Sequence, residues 1–150
     1  MTTAAIPTYT AADLAEVEAI RALTYRYGLA LDTFDLDAIV AIWIPEGVFD
    51  CSAFGLERLE GHEAIRAFFD HNQGVMADQM HMFSNHIIEL DGPAEAHGTN
   101  YLYQDGHTHE GARICCLGLN RDRYVRTATE GWRIKERVIT PLVTAQLEGY

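Results

Sequence analysis

From His81 onward the chain carries only strand-like runs, and every helical pattern lies before that point. His81 to Leu90 ends at the turn Asp91-Gly92-Pro93. Ala94 to Gln104 follows, then Gly111 to Arg126, then Trp132 to about Thr140 after the turn Glu130-Gly131. Gly, Pro and Asp mark these reversals because they supply the backbone angles and local hydrogen bonds that turns need. Consecutive long strands joined by short turns form an antiparallel meander. One face of that meander must be covered by the helices that precede it. The order predicts an α+β fold: a cone-shaped, curved antiparallel or mixed sheet wrapped around a long N-terminal helix, with two further short helices, enclosing a pocket.

The helical half is legible from spacing. Thr10 or Asp13 can cap a first helix running to about Thr33, in which Leu14, Val17, Ile20, Thr24, Tyr27 and Leu31 recur at three and four residues. Arg21, Tyr25, Gly28 and Asp32 form a neighbouring stripe, with Gly28 leaving room one turn before Asp32. Asp35-Leu36-Asp37 suits the start of a second helix, with Leu36, Ile39, Val40 and Trp43 as its apolar face and Pro45 as its stop. Val48 to Phe54 reads as a strand, Gly55 to Gly61 as its hairpin return, and Gly61 to Phe69 as a short third helix. Residues up to about Thr10 read as a loose arm.

The 150 residues suit a single domain spanning 1–150, and a hydrophobic fraction of 48% is enough for a core. A formal net charge of -11 disfavours nucleic acid and anionic membranes as partners. Cys51, Cys115 and Cys116 make neither a disulfide framework nor a zinc pattern. No secretory leader or membrane-length apolar run is evident, so the expected location is cytoplasmic.

Asp32 is the chemical anomaly, a carboxylate closing a helical face that otherwise reads as core. Its candidate partner is His81. Together they would form a carboxylate-imidazole pair, and an imidazole accepts a proton near neutral pH, as general-base work requires. Candidate walls of the pocket are Trp43, Phe49, Phe68, Phe83, Asn100, Leu102, Leu117 and Trp132, with Tyr27 and Cys51 as further substrate contacts. Trp132 reads first as core. Strand alternation turns His86 away from His81, toward surface or interface. His107 and His109 read as part of a solvated loop, with metal binding a weak alternative. Tyr101 and Tyr103 belong to the outer sheet face. Cys115 and Cys116 point to opposite faces and serve packing.

Three stretches carry a resemblance: Tyr27-Gly28-Leu29-Ala30-Leu31-Asp32-Thr33-Phe34-Asp35, Gly61-His62-Glu63-Ala64-Ile65-Arg66-Ala67-Phe68-Phe69, and Asn120 to Thr127 with Gly131-Trp132-Arg133-Ile134. With this layout the chain resembles the SnoaL-like group of the nuclear transport factor-like α+β cone superfamily. It looks nearest the branch of scytalone dehydratase and hexachlorocyclohexane dehydrochlorinase. The resemblance implies that His81 removes a proton from a ring carbon while Asp32 orients it, in an elimination that needs no metal and no cofactor. Leu31 and Cys51 stand where scytalone dehydratase has tyrosines that polarise the substrate carbonyl, and no second histidine can be placed among His97, His107 and His109.

The leading expectation is therefore a cofactor-independent lyase acting on a small hydroxylated cyclic or polyketide-like substrate. Two alternatives stand beside it: an isomerase or polyketide cyclase with Asp32 as proton shuttle, and a non-catalytic ligand-binding or assembly module. A homodimer or homotrimer is expected from the open sheet and its aromatic outer face.

Overall fold

A computed structural model describes residues 6–147. The long helix α1 spans Ala11–Asp32. It begins with a capping box: Thr10 Oγ1 accepts from the Asp13 backbone N–H, and Asp13 accepts from the Thr10 N–H. It stops at Phe34, whose φ of 55° is left-handed, while the Asp35 N–H donates back to Ala30 O at 2.9 Å. The arm before Thr10 is tied down from Tyr9, whose hydroxyl donates to Ile88 O. Residues 1–5 of the expected arm lie outside the described residues.

Helix α2 covers Leu36–Ala41, capped by Asp35, which accepts from the Ala38 N–H. It ends before Pro45, which falls inside strand β1, Trp43–Asp50. That strand is tolerant there because its pairing register breaks between Trp43 and Val48. The expected strand end is a 3-10 turn, Ser52–Phe54, and β2 is Arg58–Glu60. Helix α3 runs Gly61–Val75, six residues past the expected end.

The remaining strands are β3 Met76–Leu90, β4 Glu95–Thr108, β5 Arg113–Thr127, β6 Gly131–Pro141 and a short β7, Gln146–Leu147. The sheet order is β2-β1-β6-β5-β4-β3, with β7 beside β5. Only the β1–β6 pairing is parallel, so the sheet is mixed. Helix α1 packs against β3 and β6 and helix α3 against β1, placing the main core between helices and sheet. The arrangement is an α+β fold in which a curved, mixed sheet packs around helix α1. Outside it, Met82, Ile87 and Tyr101 are exposed. Among the described residues, no helix is long and apolar enough to cross a membrane.

Strand β3 has two register shifts against β4, between Met76 and Asp78 and between Ser84 and Ile87. Each lies beside a glycine of β4. A Cβ on Gly106 would stand 2.3 Å from Asp78 O, and one on Gly98 would stand 2.4 Å from Ile87 O. Those atoms are backbone and cannot swing aside, so the bends of β3 depend on both glycines. Gly98→Ala and Gly106→Ala should each lower stability by about 1–3 kcal/mol. Urea unfolding of the two variants checks this, and wild-type midpoints would refute it.

Candidate functional site

Asp32, the last residue of α1, meets His81 on β3. The imidazole Nδ1–H donates to Asp32 Oδ1 at 2.8 Å, and the His81 backbone N–H donates to Oδ2 at 3.2 Å. One carboxylate thus grips both the ring and the backbone of the same residue. The grip fixes the Nδ1–H tautomer and leaves Nε2 as the basic nitrogen. The His81 side chain is 8% exposed and Asp32 27%. Gln79, two residues earlier on the strand, donates from Nε2 to Leu31 O at 2.6 Å and accepts from Asn72 Nδ2 at 3.3 Å. The end of α1 and helix α3 therefore hold β3 in register at the point where His81 emerges. Gly28 does not make room for Asp32. Its open side meets the Phe83 ring, 3.2 Å from where a Cβ would stand.

His81 lines a cavity between α1, α3 and the concave sheet face. Its atom-free space is about 660 Å³ including the mouth, of which about 80 Å³ is open to the centre of a water-sized sphere. One water needs about 10–15 Å³ on the latter scale, so the cavity admits a molecule of several heavy atoms. Tyr27, Phe49, Cys51, Phe68, Phe83 and Leu102 line it. Burial pushes the thiols of Cys51 and Cys116 up to about 11 and 12, so neither supplies a thiolate at neutral pH. Burial likewise raises the Tyr27 phenol.

Four expected wall residues lie elsewhere. Trp43 is buried among Tyr27 and Phe49, with rings at 6.4 and 5.7 Å, behind the wall. Trp132 is core, its indole N–H donating to Glu16 at 2.7 Å. Leu117 is exposed on the outer face. Asn100 is fully buried in a polar network below the cavity.

That network centres on Arg137 and Asp122, both side chains 0% exposed. Arg137 Nε and Nη2 donate to Asp122 Oδ1 and Oδ2, each at 2.8 Å. Asn100 and Tyr124 also donate to Oδ2, at 2.9 and 2.7 Å, and Asn120 donates to Asn100. Burial alone would lower the Arg137 pKa. The Asp122 carboxylate outweighs it and holds the guanidinium charged, above its ordinary value. The cation lies over the rings of Tyr27 and Phe83, at 4.9 and 5.5 Å, and Arg137 is itself among the cavity-lining residues. Its Nη1 has no hydrogen-bond partner among the described residues.

His86 corrects the alternation argument. The shift between Ser84 and Ile87, with Asn85 at φ 50°, inserts a bulge that turns His86 inward. Its Nε2 lies 3.1 Å from the Tyr124 hydroxyl. Tyr124 spends its own proton on Asp122, so His86 is the donor. Burial lowers the His86 pKa to about 4, keeping the ring neutral. His107 is a strand residue held by Asp78, not part of a loop, while His109 follows in the connection to β5. Among the described residues, no cluster of three or more His, Cys, Asp or Glu side chains is arranged to hold a metal ion.

Arg137, Asp122 and the cavity residues Gln104, Asn72 and Ile114 were not foreseen. A signal existed for Asp122, which shares strand parity with Cys116, Gly118, Asn120 and Tyr124. None existed for Arg137. The shift between Arg123 and Tyr124 sets Glu136 and Ile134 as their partners, with Lys135 extra, and reverses the inward parity of β6 after Ile134.

The chain belongs to the SnoaL-like domain family, whose profile matches residues 12–138. Solved structures share the fold. One, from Novosphingobium aromaticivorans and provisionally named an aromatic ring hydroxylase, is 26% identical, covers 88% of this chain and 92% of its own, and superposes with a TM-score of 0.84. A protein of the same organism provisionally named a scytalone dehydratase is 17% identical, with 87% of each chain covered and a TM-score of 0.80. A hexachlorocyclohexane dehydrochlorinase, LinA-type3 from Novosphingobium barchaimii, is 17% identical, with 92% and 94% covered and a TM-score of 0.77. No curated protein matches the chain. A provisionally named dehydratase and a dehydrochlorinase thus share this fold.

Removing one side of the buried pair strands the other. Asp122→Asn should lower stability by about 3–5 kcal/mol, because the Arg137 charge loses the one anionic partner it has among the described residues, in the low-dielectric interior. Urea unfolding at neutral pH measures the loss, and a change within error would show that the network is not a structural centre.

Proposed function

We propose that the chain is a cofactor-independent lyase that eliminates water from a small hydroxylated ring, with His81 as general base. The observation that carries this reading is the 2.8 Å hydrogen bond from His81 Nδ1 to Asp32, on an imidazole that lines a largely apolar cavity. In the reaction, His81 Nε2 takes a proton from a ring carbon. The C–H electron pair forms the new C=C bond, and the neighbouring C–O bond breaks. The departing oxygen takes the proton back from the imidazolium, so water leaves and His81 is neutral again. Asp32 stabilises the imidazolium and keeps the ring aimed. Arg137, charged beside the cavity although its side chain is closed off from solvent, supports through its field the negative charge that grows on the substrate as the C–H bond breaks. It offers the electrophilic help that Leu31 and Cys51, in place of tyrosines, do not.

The placement of Asp32 supports this reading over one in which Asp32 shuttles the proton. Both carboxylate oxygens are engaged by His81, and Asp32 is not among the residues lining the cavity. The substrate is small and neutral or anionic, since the cavity wall carries a cation and no carboxylate.

A panel of hydroxylated cyclic ketones, followed by proton NMR for loss of water, identifies a turned-over compound. On that compound His81→Ala and Asp32→Asn should each lower turnover by about 10²–10⁴-fold, while the melting temperature stays within a few degrees. Full turnover in either variant would falsify the mechanism.

A further inference from the structure

Gln104 stands directly opposite His81 in the β3–β4 register, and Cys116 stands opposite Gln104 in the next pairing. All three line the cavity, so they form one row across its wall. Directly paired residues place their Cβ atoms about 4.5–5.5 Å apart. The amide of Gln104 therefore reaches the same small volume as the His81 imidazole. Its neighbours on the wall, Leu102 and Ile114, are apolar. Gln104 is half-buried, and its side chain has no hydrogen-bond partner among the described residues.

A primary amide carries two N–H donors and a carbonyl acceptor. With no protein partner among the described residues, these groups are left to whatever fills the cavity. A ligand that fills it must supply those bonds or leave the amide unpaired in an apolar site. A hydroxyl both donates and accepts. A carbon-bound halogen cannot donate and accepts poorly. The wall beside the base is therefore matched to oxygen and mismatched to halogen.

We propose that Gln104 determines leaving-group specificity: it hydrogen-bonds an oxygen substituent on the carbon next to the one that His81 deprotonates, so the pocket selects oxygenated rings over their halogenated counterparts. The proposal rests on the lyase reading for the identity of those carbons. Gln104 transfers no proton itself. It binds and orients the group that leaves, and the proton for that group still comes from the imidazolium.

Phenol and chlorobenzene, rings of similar size, serve as probes. Their dissociation constants are measured by NMR titration with wild-type protein and with Gln104→Leu and Gln104→Met, two variants of similar side-chain volume, so one remains if the other misfolds. The ratio of the chlorobenzene to the phenol constant should fall roughly tenfold in the variants, the effect of one lost hydrogen bond in a site built to make it. A loss of packing alone would weaken both ligands together and leave the ratio where it was, and that result overturns the proposal. The titration contains no chemical step, so it is independent of the lyase reading. That reading falls if His81→Ala retains turnover, whatever the ratio does.

Discussion

The bidentate ion pair between Arg137 and Asp122 is the constraint around which the interior is arranged. Neither side chain touches solvent. A charge removed from water that completely is tolerated only when it is paired and hydrogen-bonded. Asp122 meets that demand with four hydrogen bonds, from two Arg137 nitrogens, Asn100 and Tyr124. Those partners sit on β4, β5 and β6, so one carboxylate ties three strands in a single register. His86 extends the network to β3 through the Tyr124 hydroxyl. The cation in turn packs against the faces of Tyr27 and Phe83, coupling the sheet to helix α1.

That polar centre and the cavity divide the concave face between them. Above the network the wall is built of Phe49, Phe68, Phe83 and Leu102, with His81 and Gln104 as a polar row within it. Apolar walls keep the dielectric low, which strengthens any charge interaction formed during a reaction. Asp32 serves this arrangement from behind, gripping both the imidazole and the backbone of His81. His81 is positioned twice over, by the Asp32 carboxylate and by the Gln79 bridge to Leu31 O and Asn72.

The fold is shared by proteins named for different reactions, among them a dehydrochlorinase and a provisionally named dehydratase. Fold alone therefore says little about chemistry, which belongs to the residues projecting into the cone. In this chain the residues departing from the scytalone dehydratase pattern, Leu31 and Cys51, both line the cavity. The polar groups around His81 come instead from β4 and β6, as Gln104 and Arg137.

Much of the fold was legible in the residues themselves. The 3.6-residue spacing from Leu14 to Leu31 and the Thr10 cap located α1, and the late run of alternating strands gave the layered order. Asp32 and His81 stood out because each is a polar group in a segment patterned for burial. Side-chain parity was the part that local pattern could not carry. A single extra residue in a strand flips every later side chain to the other face. Such shifts occur in β3 at Ser84–Ile87 and in β6 at Lys135. The first brought His86 inward, and the second brought Arg137 into the core. Trp43, Trp132 and Asn100 failed as wall residues for a related reason: burial can be recognised from residue type, but what a buried side chain faces depends on the elements packed over it. Local pattern was enough to order the helices and strands and to single out Asp32 and His81. The tertiary structure alone decided the bulges, the buried ion pair and the cavity wall, because each depends on contacts between strands far apart along the chain.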